Sequence, residues 1–381
     1  MVYLDNAATT FPKPESVYCA MDKANRELAV NAGRGSYKLA REASGVIAET
    51  KFLLRKLVKA ENNVGVVFTP SITIALNEII GGMDWNQNDV VYASPYEHNA
   101  VARTLHHVSE LYGVKIKLIP LKDKSLEVDI EKFKYELSKE KPKAVFCTHV
   151  SNVTGYILPV SEIFTEAKKY GACTVLDSAQ SLGLVDIDVR TMPVDIIAFA
   201  GHKTLYGPFG IGGFVNVSSV KLNTYIVGGT GSDSLNLDMP SGIEVRYESS
   251  STNIVSVHGL NAALKEIDAI EAFNREKELT DYLVKALEPI EGITVYLPAQ
   301  REKHIAIVSF VVEGYLSEEI GEILDADFDI AVRTGYHCAP WIHDYIKDKE
   351  SLGTVRVGVG RYTEKSSIDE LIAALIDILN S

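Results

Sequence analysis

Two short motifs place chemically capable side chains where apolar runs end: Asp177-Ser-Ala-Gln180 and Gly201-His202-Lys203-Thr204-Leu205-Tyr206-Gly207-Pro208. A pyridoxal phosphate site requires a Schiff-base lysine and a carboxylate paired with the pyridinium nitrogen. Lys203 and Asp177 are the candidates for those two roles. The plain alternatives are a solvated surface lysine and a turn aspartate, a common use of that residue. The glycine-, histidine- and proline-framed setting of Lys203 at a strand end argues against the first. A third capable segment, Arg333-Thr-Gly-Tyr-His-Cys-Ala-Pro340, is rich in turn formers and can expose the thiol of Cys338. The competing reading is a free thiol without a role, because reactivity depends on an electropositive setting. His337, Cys338 and His343 are also metal-ligand types, but no second cluster with structural-site spacing accompanies them, and no metal is expected.

The elements that must position these residues follow from hydrophobic patterning. Between about residues 60 and 217, short β-rich runs alternate with longer amphipathic stretches, the pattern of an α/β fold with a mainly parallel sheet between helices. The runs at 64–68, 90–93, 144–148, 174–176, 195–199 and 212–217 read as strands. In such sheets, ligands bind beyond the carboxyl ends of the strands. The polar residues that follow the runs are Ser71 and Thr73, His98, Asn152, Asp177 with Gln180, and His202 with Lys203, so five strand ends converge on one rim. After about residue 255 the texture changes to a long helical stretch at 260–287, a strand at 305–312, a helix at 318–324, a strand at 354–359 and a closing helix near Ser367, where Ser367 and Glu370 have capping-box spacing. The expected division is a large domain over 15–255 and a smaller α+β domain made of 1–14 with 256–381.

Composition narrows the function classes. The 381-residue chain is 46% hydrophobic, ample for a packed core, and its net charge of −13 with scattered lysines and arginines argues against nucleic acid as a partner. No apolar stretch reaches the roughly 18–20 residues of a membrane span. The start, Met1-Val-Tyr-Leu-Asp5, lacks the basic and apolar regions of a signal peptide. A cytoplasmic protein is expected. The four cysteines do not form a disulfide framework, and Cys19, Cys147 and Cys173 read as buried small hydrophobes.

Taken together the motifs resemble the fold-type I, class V aminotransferase-like enzymes, and among them the cysteine desulfurase and selenocysteine lyase group with a short cysteine loop. The resemblance runs nearly end to end. It rests on Tyr3-Leu-Asp-Asn-Ala-Ala-Thr-Thr10, Asn31-Ala-Gly-Arg-Gly35, Phe68-Thr69 with Thr73 and Asn77, Glu97-His98, Ser151-Asn-Val-Thr-Gly155, the two opening motifs, Arg333 to Cys338, and Val355-Arg356-Val357. It implies a pyridoxal phosphate cofactor and a large cofactor-binding domain with a seven-stranded-type sheet. Lys203 would be the catalytic lysine, His98 would stack on the ring, and Gln180 and Asn152 would meet the ring hydroxyl. Ile72, Thr73 and His202 would hold the phosphate, with Ser251 reaching across from a second subunit of a homodimer. Arg356 would bind the substrate carboxylate, which suits a planar guanidinium, with Asn31, Arg34 and Arg333 around the substrate and the Cys338 loop.

The reaction implied converts L-cysteine to L-alanine, with the sulfur carried as a persulfide on Cys338 and passed to an acceptor protein or thiol, as in iron–sulfur cluster assembly. A selenocysteine lyase or a C–S lyase would use the same proton abstraction without needing Cys338, an aminotransferase has no use for its loop, and a non-catalytic scaffold would share only the fold. The chain departs from the resemblance at Ala200, where a hydroxyl residue is usual, at Ile72 in place of a paired threonine, and at Tyr37 and Tyr336, where histidines are usual. Tyrosine titrates near ~10 rather than ~6.5, so proton relay at those two positions is altered.

Overall fold

The computed structural model describes residues 1–32, 35–123, 125–232 and 234–380. The chain runs through β1 (Val2–Tyr3), α1 (Glu15–Lys23), α2 (Lys38–Leu57), β2 (Gly65–Thr69), α3 (Ile72–Gly82), β3 (Val90–Ala93), α4 (Asn99–Tyr112), β4 (Lys115–Leu118), α5 (Ile130–Lys139), β5 (Ala144–Thr148), α6 (Val160–Lys168), β6 (Cys173–Asp177), β7 (Ile196–Ala200) and β8 (Gly212–Asn216). It continues with α7 (Ile243–Tyr247), α8 (Ile254–Lys265), α9 (Ala269–Leu287), β9 (Ile293–Tyr296), β10 (Ile307–Val312), α10 (Ser317–Phe328), β11 (Ile330–Ala331), β12 (Arg333–Gly335), α11 (His343–Ile346), β13 (Thr354–Gly358) and α12 (Lys365–Leu379).

The large sheet has seven strands in the order β2-β8-β7-β6-β5-β3-β4, and only β8 runs against its neighbours. Strands β2, β3, β5, β7 and β8 are buried at every position, which is why they read as continuous Val, Ile, Phe and Ala runs: helices cover both faces. One face packs Tyr92, Phe133, Phe164 and Phe199, the other Leu76, Ile79, Phe146 and Phe214. Edge strand β4, Lys-Ile-Lys-Leu, is half-exposed and carries no long apolar run, so the sequence pattern passes over it.

The smaller unit is an antiparallel sheet in the order β12-β13-β10-β9 with α9, α10 and α12 packed on it around Phe310, Leu283, Leu324, Val355 and Leu371. The N-terminal segment belongs to this core through Leu4 and Ala7, and β1 pairs with β11. The division expected at 255/256 falls inside α8, which packs on α1 and α2 and contributes Val257, Leu260 and Leu264 to the large unit's core. We propose the boundary after α8.

The helical stretch expected at 260–287 is two helices. Asp268 breaks it, its Oδ1 accepting from the N–H groups of Ile270 and Glu271 at 3.0 Å as the cap of α9. The closing helix starts at Lys365, so Ser367 lies within its first turn and the expected capping box does not form. Cys19, expected to be buried, is exposed on α1, whereas Cys147 is buried and Cys173 half-buried. No helix among the described residues is long and apolar enough to cross a membrane.

Candidate active site

The carboxyl ends of the parallel strands deliver the expected residues to one rim. Asp177 is the last residue of β6, Asn152 follows β5, and Lys203 follows β7. His98 caps α4 beyond β3, its Nδ1 accepting from the Ala100 N–H at 3.0 Å, which leaves the ring proton on Nε2. The N-terminal segment is wrapped around the Lys203 loop. Thr10 Oγ1 donates to the Lys203 carbonyl at 3.1 Å, Thr9 Oγ1 to the His202 carbonyl at 3.0 Å, and Lys13 Nζ to that same carbonyl at 2.8 Å. Gln180 Nε2 ties this segment to the β6 end by donating to the Ala7 carbonyl at 2.7 Å.

Burial and charge set the protonation states. Burial pulls Lys203 down to about 8, with Asp177 opposing and Arg356 and Arg333 reinforcing the fall. Asp177 is pushed up by burial, while the Ala179 N–H on its Oδ1 at 2.9 Å and the Lys203 charge pull the other way. His98 falls to about 3, through burial first and then the cations of Lys203, Arg333 and Arg356, so its ring is neutral. Burial and Lys203 likewise lower His202 to about 3. Behind His98, buried Glu97 takes the Ser94 hydroxyl at 2.5 Å and the Thr148 N–H at 2.6 Å on one oxygen, which joins the β3 and β5 ends. Burial, then Asp177, raises Glu97 to about 8.

Arg356 comes from the middle of β13 and is 1% exposed. One guanidinium nitrogen donates to Asp5 Oδ1 at 2.8 Å and another to the Asn152 carbonyl at 3.0 Å. Arg333 faces it in the β12–β13 register and points a nitrogen at Cys338 Sγ, 3.4 Å away. The half-buried Cys338 thiol therefore has the electropositive neighbours that a reactive cysteine needs. His337 and Cys338 both take left-handed backbone, φ 47° and 57°. Such conformations cost non-glycine residues about 1–3 kcal/mol each and persist where the surroundings impose them. Asn152 Nδ2 holds the His337 carbonyl at 2.7 Å, and the Asn99 N–H holds the Cys338 carbonyl at 2.6 Å. On its outer side the thiol opens to a cavity of about 870 Å³, shared with Arg103, His106, Leu118, Trp341 and Lys349.

The anion cradle stands at the start of α3, capped by Ser71, whose Oγ accepts from the Ile74 N–H at 3.3 Å. Ile72 is buried and Thr73 exposed on the first turn. Gly212 of β8 lets this turn approach the sheet, since a Cβ there would lie 2.7 Å from the Ile72 nitrogen. Several polar atoms around the rim lack partners among the described residues: Asn152 Oδ1, His202 Nδ1 and Arg356 Nε. A helix N-terminus open to an anion, a lysine pulled toward neutrality beside a carboxylate and unpartnered polar atoms fit a phosphorylated pyridine aldehyde.

Other expected residues lie apart from this group. Ser251 is exposed beside Thr69 and Pro70 in a cavity of about 250 Å³ that Lys203 does not line. Asn31 is exposed, and no contact ties it to Lys203 among the described residues. Arg34 lies outside the described residues. Sequence reasoning assigned no role to Asp5, Thr9, Thr10 or Lys13. The first three stood inside the Tyr3-to-Thr10 motif, and that was the available signal. Lys13 carried none; burial lowers it to about 7.

A mainly parallel sheet with a lysine, an aspartate and a helix N-terminus at its carboxyl rim defines a fold-type I site. The family model described as Aminotransferase class-V matches residues 2–371, and the chain belongs to that family. A probable cysteine desulfurase of Halalkalibacterium halodurans is 32% identical, over 98% of this chain and 92% of its own length. One from Aeropyrum pernix is also 32% identical, over 100% and 95%. Among solved structures, the apo cysteine desulfurase of Thermococcus onnurineus superposes with a TM-score of 0.91 at 28% identity, covering 100% of this chain and 94% of that one.

Proposed function

We propose that the protein is a pyridoxal phosphate-dependent cysteine desulfurase that releases L-alanine from L-cysteine and carries the sulfur on Cys338. The observation that carries this reading is the Cys338 thiol, set 3.4 Å from an Arg333 nitrogen on the rim that also holds Lys203, Asp177 and Arg356. Lys203 would hold the cofactor covalently, Asp177 its ring nitrogen, His98 its ring face, Asn152 and Gln180 its hydroxyl side, and Ile72, Thr73 and His202 its phosphate. When bound, the cofactor supplies an electron sink for the pair released at the substrate Cα.

Arg356 binds the substrate carboxylate, its orientation fixed by Asp5 and the Asn152 carbonyl. Lys203, its ammonium form disfavoured by burial, takes the Cα proton and returns one later. The Cys338 thiolate bonds to the substrate sulfur as the Cβ–S bond breaks. The bonding pair leaves with the carbon skeleton, which is protonated to alanine. The persulfide then faces the outer cavity, where Arg103 stands beside the Lys349–Asp344 ion pair and an acceptor can approach. A homodimer, with Ser251 completing the partner's phosphate site, and a cytoplasmic setting complete the proposal; all four cysteines are free thiols.

Product analysis tests this reading. Cofactor-loaded protein given L-cysteine and a thiol reductant should yield alanine and sulfide in equal amounts, and Cys338→Ala should yield neither. Pyruvate and ammonia from both proteins would instead make it a lyase.

A further inference from the structure

The strained turn at Cys338 is held by its carbonyls. Those of His337 and Cys338 go to Asn152 and to the Asn99 N–H, both from the large sheet's rim. The preceding carbonyl, that of Tyr336, is held by a different device: His343 Nε2 at 2.9 Å. The other ring nitrogen, Nδ1, lies 2.5 Å from Asp348 Oδ2. Both side chains are buried, His343 4% and Asp348 0% exposed. A carbonyl only accepts, so Nε2 carries a proton, and a second proton lies between Nδ1 and the carboxylate. The Ala339 N–H, 3.0 Å from the same Tyr336 oxygen, closes the turn around the cysteine.

We propose that His343 and Asp348 are positioning residues for the reacting thiol: the pair pins the Tyr336 carbonyl, and the pinned turn holds Cys338 Sγ against Arg333. Neither residue touches Lys203 or Arg356, so the pair governs sulfur transfer and not the binding of substrate. This inference rests on Cys338 as the sulfur-accepting thiol, but the pinning itself does not depend on the reaction. The carboxylate's task is to fix the imidazole's orientation and proton. An amide at position 348 would perform it too, donating to Nδ1 and leaving the Nε2 proton on the carbonyl.

The test uses cofactor-loaded full-length protein with His343→Phe, Asp348→Ala and Asp348→Asn. One measurement is amide hydrogen exchange of the peptide containing Ala339. The other is persulfide formed on Cys338 in a single turnover, with KM for L-cysteine and the cofactor absorbance followed in parallel. His343→Phe and Asp348→Ala should speed exchange and slow sulfur transfer by tenfold or more, with KM and absorbance unchanged, and Asp348→Asn should behave as the wild type. Wild-type exchange in His343→Phe, or an Asp348→Asn variant as impaired as Asp348→Ala, would overturn the proposal. So would loss of cofactor and melting temperature in all three variants, which would make the pair mere scaffold. If wild type forms no alanine from cysteine, the desulfurase reading fails while the exchange measurement still decides the pinning.

Discussion

Lys203 is where burial does chemistry. A solvated lysine stays protonated until about pH 10.4, and a protonated amine neither bonds to a carbonyl carbon nor accepts a proton. Removal from water and the nearby charges of Arg356 and Arg333 bring Lys203 down to about 8, and Asp177 keeps it from falling further. Protonation is complete well below that value and lost above it. In cofactor-free protein with 13C-methylated lysines, the Lys203 resonance, identified by its absence in Lys203→Arg, should titrate near 8. Removing the carboxylate by Asp177→Asn should move that midpoint down, because Asp177 is what raises it. A Lys203 midpoint near that of the exposed lysines, or an upward move in the Asp177 variant, would contradict the arrangement. The same Asp177 substitution should also lower turnover steeply, since the ring nitrogen loses its anionic partner.

At the scale of elements, the site is assembled by pairing distant segments of chain. Arg356 in β13 meets Asp5, which sits 351 positions earlier in the bridge joining the N-terminal segment to β13. A guanidinium buried to 1% exposure and stripped of its carboxylate is an uncompensated charge. Breaking such pairs costs about 3–5 kcal/mol, and the lower end applies because Asp5 keeps some contact with solvent. Asp5→Ala should therefore lower unfolding free energy by about 3 kcal/mol in urea titrations and raise KM for L-cysteine; unchanged stability would show that Arg356 finds other compensation. The strand ends carrying Asp177, Asn152 and Lys203 were legible because strands buried along all or nearly all their length declare themselves as apolar runs with polar residues at their ends. Partnerships across the fold were not: nothing local to Asp5 announces Arg356, and nothing local to His343 announces a carbonyl needing a donor. Local signals also misled where tertiary packing decided. The spacing of Ser367 and Glu370 lies inside a helix that begins at Lys365, and the amphipathic stretch after residue 260 hides the Asp268 cap.

At the scale of the whole molecule, the single chain leaves several large apolar side chains in water, one of them beside its active site. Phe209, between β7 and β8, is 63% exposed, and between β8 and α7 Val227 is 70% exposed and Leu235 and Leu237 fully so. A run of exposed apolar residues between β8 and α7 suits a surface that binds another. Phe209 also stacks on His202, ring centroids 4.6 Å apart, so whatever covers Phe209 also braces the residue ahead of Lys203. Ser251 stands exposed beside Thr69 and Pro70, just ahead of α3. These features support a second copy as the cover, with cofactor retention coupled to association. Leu237→Asp, at a position assigned no cofactor contact, should shift sedimentation from dimer to monomer and weaken cofactor retention by tenfold or more in dialysis, whereas Ser251→Ala should weaken retention and leave the dimer intact. A wild-type monomer that binds cofactor tightly would refute the shared site, and a Leu237→Asp monomer with undiminished retention would show that each chain holds its cofactor alone.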